Sequence, residues 1–254
     1  MKSPKKNSCW LIDVSNSFTK VTTFSDGQIG RVRRVPTPSW TPERCAAVFG
    51  RSDRPAVLCC VVPKAASILG QHFSQAHFLS ATSPLEVGVR YPKPATIGAD
   101  RLANASAAAH EYGTPAIVVD FGTAVTFDVV SRDGYYEGGV IAPGVQSLTS
   151  YLHERTALLP KITLEAPARV IGKSTREAML AGAVIGYAGL IDAIFGAVLD
   201  ELGCRTAKLI ATGGDAATVI AKLTRPVVTD SLLTLKGLAL LAQKIFPKTS
   251  SPAR

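Results

Sequence analysis

Two aspartates, Asp13 and Asp120, each stand at the end of an apolar run and precede a short turn rich in hydroxyl and amide side chains. The segments Leu11–Thr19 (LIDVSNSFT) and Val118–Thr126 (VVDFGTAVT) align without gaps, 107 residues apart and so close to half the chain. A carboxylate leaving a buried strand is costly to desolvate unless a cation or several donors face it. The backbone N–H groups and hydroxyls of the two turns, with Ser15, Ser17 and Thr123, make a cradle suited to phosphate oxygens. For either aspartate alone, turn capping is explanation enough. For the pair, an internal repeat at this period predicts duplicated domains sharing one cleft.

Between the copies lies Ile97-Gly98-Ala99-Asp100-Arg101-Leu102, at the start of an alanine-rich helix over Leu102–His110. Two readings stand for this pair of charges. A carboxylate here can take the proton of a substrate hydroxyl, while a guanidinium grips a substrate carboxylate through two parallel bonds. Alternatively, Asp100 is an acidic residue interacting with the helix dipole. Two Gly-rich turns follow in the second half, Gly138–Gly144 (GGVIAPG) and Thr212–Ala216 (TGGDA). Glycines where a strand passes into a helix let a nucleotide lie against bare backbone and a helix N-terminus.

The elements that position these residues are legible from periodicity. Strands are expected over Cys9–Val14, Phe18–Phe24, Gln28–Arg34 and Ala56–Val61, with helices over Thr41–Phe49 and Lys64–Gln71. In the second half, strands are expected over Ala116–Phe121, Val125–Ser131, Tyr136–Ile141 and Lys208–Ala211. Helices there cover Val145–Glu154, Ser174–Glu201 and Ser231–Ile245. The small residues Ala181, Gly182, Gly186 and Gly189 allow the long helix to approach a neighbour closely. Strand hairpins followed by helices in both halves predict an α/β fold, divided into domains 1–115 and 116–254.

The chain has 254 residues, 46% hydrophobic and 19% charged, enough for two core-bearing domains. Residues 1–7 and 248–254 read as loose polar ends. The longest uncharged apolar runs, read as stretches such as Ala56–Pro63, fall far short of the roughly 20 residues a membrane span needs. The N-terminal apolar stretch is cut by Asp13, unlike a signal peptide, so a cytoplasmic location is expected. Cys9, Cys45, Cys59, Cys60 and Cys204 form no CxxC pair and read as small apolar residues in a reducing compartment. The net charge of +9 comes with no basic helix or zinc-finger spacing, so nucleic acid is not an expected partner.

Taken together, the motifs resemble the type III pantothenate kinases of the acetate and sugar kinase, chaperone ATPase and actin superfamily. The segments concerned are DVSNSFTK (Asp13–Lys20), VVP (Val61–Pro63), YPKPATIGADR (Tyr91–Arg101) and DFGTAVTFD (Asp120–Asp128). GGVIAPG, LHERTALLP (Leu152–Pro160), KSTREAMLAGAVIGYAG (Lys173–Gly189) and TGGDA continue the family order. The resemblance implies duplicated actin-like (ribonuclease H-like) ATPase domains with a cleft between them, and phosphorylation of pantothenate by ATP. It implies Asp100 as the catalytic base. It implies ATP on Asp13, Val14, Ser15, Asn16, Ser17, Phe18, Thr19, Lys20 and Thr123, and pantothenate on Tyr91, Gly98, Ala99, Asp100, Arg101 and Thr175. It further implies a potassium or ammonium ion at Asp120, magnesium with ATP, and a homodimer.

One position departs from the pattern. The family's first loop reads Asp-x-Gly-Asn-Ser/Thr, and here Ser15 replaces the glycine. If a positive φ or bare backbone is required there, a side chain costs about 1 kcal/mol or more, and weakened ATP affinity is expected. Ser15 and the basic charge also motivate a competing reading, an inactive or regulatory relative. Retention of Asp13, Asp100, Arg101 and Asp120 argues against it.

Overall fold

The computed structural model describes residues 8–50, 53–214 and 216–246. The loose ends expected at residues 1–7 and 248–254, and Asp215 of the TGGDA turn, lie outside the described residues. The chain divides into two compact units, residues 1–110 with 232–254, and residues 111–231.

The first unit is built on a sheet of six strands: β1 (Ser8–Val14), β2 (Phe18–Ser25), β3 (Gln28–Ile29), β4 (Arg33–Pro36), β5 (Ala56–Cys60) and β6 (Ala76–Phe78). The order is β3-β2-β1-β5-β6, with β4 also on β2. β1 and β2 form an antiparallel hairpin, and β1 runs parallel to β5. The expected strand Gln28–Arg34 is therefore two strands. The chain breaks at Gly30, whose N–H bonds to Thr23 O at 2.8 Å, before β4 joins the other end of β2.

Helices α1 (Pro42–Phe49) and α2 (Pro63–His72) cover one sheet face. There Ile12, Val14, Val21 and Leu58 meet Cys45, Phe49 and Leu69 in a continuous core. Thr41 caps α1 by accepting from Arg44 N, which satisfies an otherwise orphaned donor. A short strand β7 (Gly88–Val89) precedes α3 (Ala99–Tyr112).

The last helix, α8 (Leu233–Ile245), also belongs to this unit, packing on β1 and β5. Thr234 donates to Asn104 Oδ1 at 2.9 Å, both residues being buried. The boundary expected after residue 115 thus leaves one helix on the wrong side. Periodicity shows that α8 has an apolar stripe, but not which sheet buries it.

The second unit carries β8 (Ala116–Phe121), β9 (Ala124–Val130), β10 (Tyr135–Pro143), β11 (Lys208–Gly213) and β12 (Val228–Thr229). Their order is β12-β11-β8-β9-β10. Its helices are α4 (Val145–Arg155), α5 (Thr175–Ala181), α6 (Tyr187–Glu201) and α7 (Ala216–Ile220). Ile117, Val119, Phe121, Phe127, Ile191 and Phe195 form the centre of its core.

The long helix expected over Ser174–Glu201 is present as α5 and α6, joined by one π-helical turn at Gly182–Gly186. Over Thr175–Glu201 it is long and apolar enough to cross a membrane, with a window of mean hydropathy 1.8. The apolar run that matters therefore lies between Glu177 and Asp192, not at Ala56–Pro63. One third of that window is buried. Tyr187, Ala188, Ile191, Phe195 and Leu199 anchor it in the second core, and Asp192 accepts from Thr224 N at 2.8 Å.

Among the described residues all five cysteines are free, and no three His, Cys, Asp or Glu side chains form a metal-binding group. Cys9, Cys45 and Cys59 are buried, and burial pushes the Cys9 thiol up to about 12.

Candidate active site

The first hairpin delivers Asp13 at the second-last position of β1, directly opposite Lys20 on β2. Asp13 is buried, and Lys20 Nζ lies 3.7 Å from its Oδ2. The cation that a buried carboxylate calls for is thus supplied by the adjoining strand. The turn between them is closed by Ser15 N donating to Phe18 O at 3.2 Å. Asp26 is the one non-glycine residue with positive φ among the described residues. Ser15 therefore sits in ordinary backbone, and the strain raised for a side chain at this position does not arise.

Ser15, Asn16, Ser17 and Phe18 are exposed. The ring of Phe18 carries the guanidinium of Arg34 at 4.4 Å. Val14 is buried in the core. Thr19 is fully buried, with its hydroxyl engaged by Trp40 and Thr37. Its neighbours on both sides, Val14 and Val35, are strand partners. A cavity of about 260 Å³ beside the hairpin is lined by Asn16, Thr37, Trp40, Val62, Lys64 and Ile68.

Asp100 and Arg101 occupy the first turn of α3, which starts earlier than periodicity suggested, at Ala99. Asp100 is half-buried, and its Oδ1 accepts from Arg101 N at 2.9 Å. Burial pushes its carboxyl above the usual range. The Arg101 backbone donor and guanidinium pull the other way but do not cancel the rise. Gly98 leaves room for this carboxylate. A Cβ on it would stand 2.5 Å from Asp100 Oδ1, so any side chain at 98 would turn the carboxylate away. Ala99 is half-buried, and Tyr91 is partly exposed ahead of the 3-10 turn Pro94–Thr96.

In the second unit Asp120 is half-buried on β8. Its ladder partners are Thr126 on β9 and Thr212 on β11. Thr212 is buried, and its Oγ1 has no hydrogen-bond partner among the described residues. Thr123 lies in the turn after β8, where its carbonyl accepts from Gly144 N at 3.0 Å and from Ser147 Oγ at 2.8 Å. The GGVIAPG segment thereby seats the start of α4 on the hairpin.

In the TGGDA turn, Gly213 has φ +97°, and a Cβ on it would overlap the backbone of Phe121. Only glycine permits that approach. Thr175 is exposed at the first position of α5. Ser174 caps that helix by accepting from Glu177 N at 3.2 Å, while Glu177 Oε2 reaches back past the cap to accept from Lys173 N at 2.6 Å.

Residues 9–197 match the family model described as type III pantothenate kinase. The chain belongs to this family. Relatives named type III pantothenate kinase include one from Akkermansia muciniphila, 49% identical over 91% of this chain and 97% of its own length. Another, from Methylacidiphilum infernorum, is 41% identical over 94% and 89%.

Two solved structures share the fold at low identity. One, from Sinorhizobium meliloti, is assigned as a 2-dehydro-3-deoxygalactonokinase (TM-score 0.63, 16% identity, 97% of this chain and 99% of that one). The other, from Campylobacter jejuni, is assigned as a Baf-family transcriptional activator (0.59, 20%, 93% and 98%). The two α/β units are of the duplicated actin-like kind.

Sequence reasoning about this kinase family member missed Thr37, Trp40, Arg34 and Ser147, all of which touch the two hairpins. Thr37 lies 22 residues from the Ser15 carbonyl it bonds, and no local motif announces a contact at that distance.

Proposed function

We propose that this chain transfers the terminal phosphoryl group of ATP to pantothenate in the cytoplasm, giving 4'-phosphopantothenate, the first step of coenzyme A biosynthesis. The observation that carries the reading is the Asp100 carboxyl. It is half-buried with a raised proton affinity and backed by a glycine, within a family that bears this activity in its name.

Phosphoryl transfer asks a protein mainly for in-line positioning and charge neutralisation. Asp100 accepts the proton of the primary hydroxyl as that oxygen attacks. Its raised affinity brings it closer to the pH at which a general base works well. Arg101 binds the pantothenate carboxylate, with Gly98, Ala99, Tyr91 and Thr175 completing the substrate contacts. The exposed turn Ser15–Phe18 and Lys20 receive the ATP phosphates, with Asp13 and Val14 anchoring the turn from the buried end of β1; Thr123 of the second unit is a further proposed phosphate contact. Lys20 offsets their charge. Thr19 contributes from behind, since its hydroxyl is engaged internally.

Magnesium arrives with ATP as part of the substrate complex. A potassium or ammonium ion fits at Asp120, where a carboxylate, Thr126 and the unbonded hydroxyl of Thr212 offer oxygen donors on one face of the ladder. Such an ion supplies fixed positive charge beside the transferring group. A second copy of the chain fits against the long helix, where Gly182, Gly186 and Gly189 face open space and stand exposed with Ala193 and Ala197. The apolar side chains of Leu148 and Tyr151 on α4 are exposed as well.

The deciding experiment is ATP-dependent phosphorylation of pantothenate, with and without potassium, by wild type and Asp100→Asn. Wild-type turnover should fall on the order of 10²–10⁴-fold in the variant. Turnover unaffected by the substitution would remove Asp100 as the base. An inactive wild type that binds ATP would favour the regulatory reading.

A further inference from the structure

Behind the first hairpin three buried polar side chains run in series. Trp40 Nε1 donates to Thr19 Oγ1 at 2.8 Å, Thr19 and Thr37 hydroxyls lie 3.0 Å apart, and Thr37 Oγ1 donates to the Ser15 carbonyl at 2.7 Å. Trp40, Thr19 and Thr37 are each 4% exposed or less, so the links are made within the protein rather than through bulk solvent. A hydroxyl has one proton. That of Thr37 is spent on Ser15 O, a group that can only accept, so Thr19 must donate to Thr37. Thr19 in turn accepts from the indole. The relay therefore has one direction, Trp40 to Thr19 to Thr37 to Ser15 O, and every member is satisfied.

Thr37 holds the loop a second time, its N–H donating to Ser17 O at 3.0 Å. In a trans peptide the carbonyl of one residue and the N–H of the next point in opposite directions. With Ser15 O pulled inward onto Thr37, the N–H of exposed Asn16 must face away from the relay, on the outer side of the turn.

We infer that Trp40, Thr19 and Thr37 are positioning residues for ATP: their one-way relay sets the Ser15–Asn16 peptide so that the Asn16 N–H meets a phosphate oxygen. The inference rests on the proposed ATP site at this hairpin and deepens it. It also accounts for Thr19, whose hydroxyl is not available to a nucleotide. A serine at position 15 is compatible with the device because the relay acts on the carbonyl, not on the side chain.

Steady-state kinetics in each substrate, with thermal unfolding alongside, test this on wild type, Thr37→Val, Thr37→Ser and Trp40→Phe. Valine keeps the shape of threonine but releases Ser15 O. The KM for ATP should rise about fivefold, as expected for one lost hydrogen bond, with the KM for pantothenate within twofold. Serine should restore the wild-type value. Trp40→Phe, which keeps a ring stacked on Phe49, should raise the KM for ATP about twofold, since it removes only the first link.

An unchanged KM for ATP in Thr37→Val, or an equal rise for both substrates, would overturn the inference and leave the kinase reading intact. If Thr37→Val does not fold, Trp40→Phe decides by the same ATP-selective criterion. A wild type that neither binds ATP in calorimetry nor phosphorylates pantothenate would sink both.

Discussion

The two hairpins look like copies in sequence but differ by one residue in register. In the first, Val14 pairs with Thr19, leaving four residues, 15 to 18, between the paired positions. In the second, Phe121 pairs with Val125, leaving three, 122 to 124. The gap-free alignment over Leu11–Thr19 therefore does not survive as a ladder. Because side chains alternate faces along a strand, one extra residue changes what stands beside the aspartate. Asp13 faces Lys20, while Asp120 faces Thr126 and, on the other side, Thr212. One copy sets positive charge opposite its carboxylate, and the other sets oxygen donors. The bracing differs too. Ser15 O is held by a buried relay, whereas Thr123 O is held by Gly144 and Ser147 at the start of α4. The duplicated turn thus gives its two aspartates different surroundings, and that difference is the basis of the two roles proposed for them.

The largest expected effect separates those roles. Asp13→Asn leaves the Lys20 ammonium without its carboxylate and should lower turnover by about 100-fold or more at every potassium concentration, in line with removal of a preorganised electrostatic element. Asp120→Asn should instead flatten the response to potassium, so that activity with and without the ion converges at a low level. Titrating potassium chloride against both variants, with sodium chloride holding ionic strength, reads the difference. If both variants keep the wild-type potassium response, the two aspartates are not specialised as the ladders suggest.

A pH profile sharpens the comparison by separating both hairpins from Asp100, the proposed base. Burial raises the Asp100 carboxyl above its ordinary range, so the acid limb of kcat should lie at higher pH than an ordinary aspartate would give. The sign for stability is the reverse of the usual carboxylate case. The folded state binds this proton more tightly than the unfolded state. Its stabilising effect is therefore present at low pH and is lost as pH rises through the folded value. Asp100→Asn removes that loss, so at neutral pH its Tm should equal or exceed that of wild type while its turnover collapses. A lower Tm together with lost turnover would mean that the asparagine damages the fold.

Much of this arrangement is legible in the sequence, because it is local. Asp13, Asp120 and the strands bearing them follow from apolar runs ending in an acid, and Ala116–Phe121 was expected with the bounds it has. The Asp100–Arg101 pair is visible because a helix start is a local signal. What is hidden depends on distant partners. α8 crosses back to the first unit because a sheet face there needs covering, and Trp40 and Thr37 reach the hairpin from 18 to 22 residues away. The register difference is hidden for another reason: a ladder slip of one leaves the alignment of residue types unchanged while exchanging their neighbours.

The smallest expected effect lies at Ser15, which aligns with Gly122 in the second copy. Neither residue has a positive φ, so exchanging serine for glycine does not relieve backbone strain. What remains is the bulk and hydroxyl of Ser15 on the exposed side of the turn, where the phosphates are proposed to bind. Ser15→Gly should then lower the KM for ATP by about twofold, the scale of a fraction of 1 kcal/mol, partly offset by the added freedom of glycine in the unfolded chain. Because Thr37 holds the Ser15 carbonyl regardless of the side chain, the ratio of KM values between Thr37→Val and its parent should be the same in either background. A KM for ATP that stays level or rises in Ser15→Gly would mean that the serine is an adapted part of this loop, its hydroxyl contributing what bare backbone supplies in the family pattern.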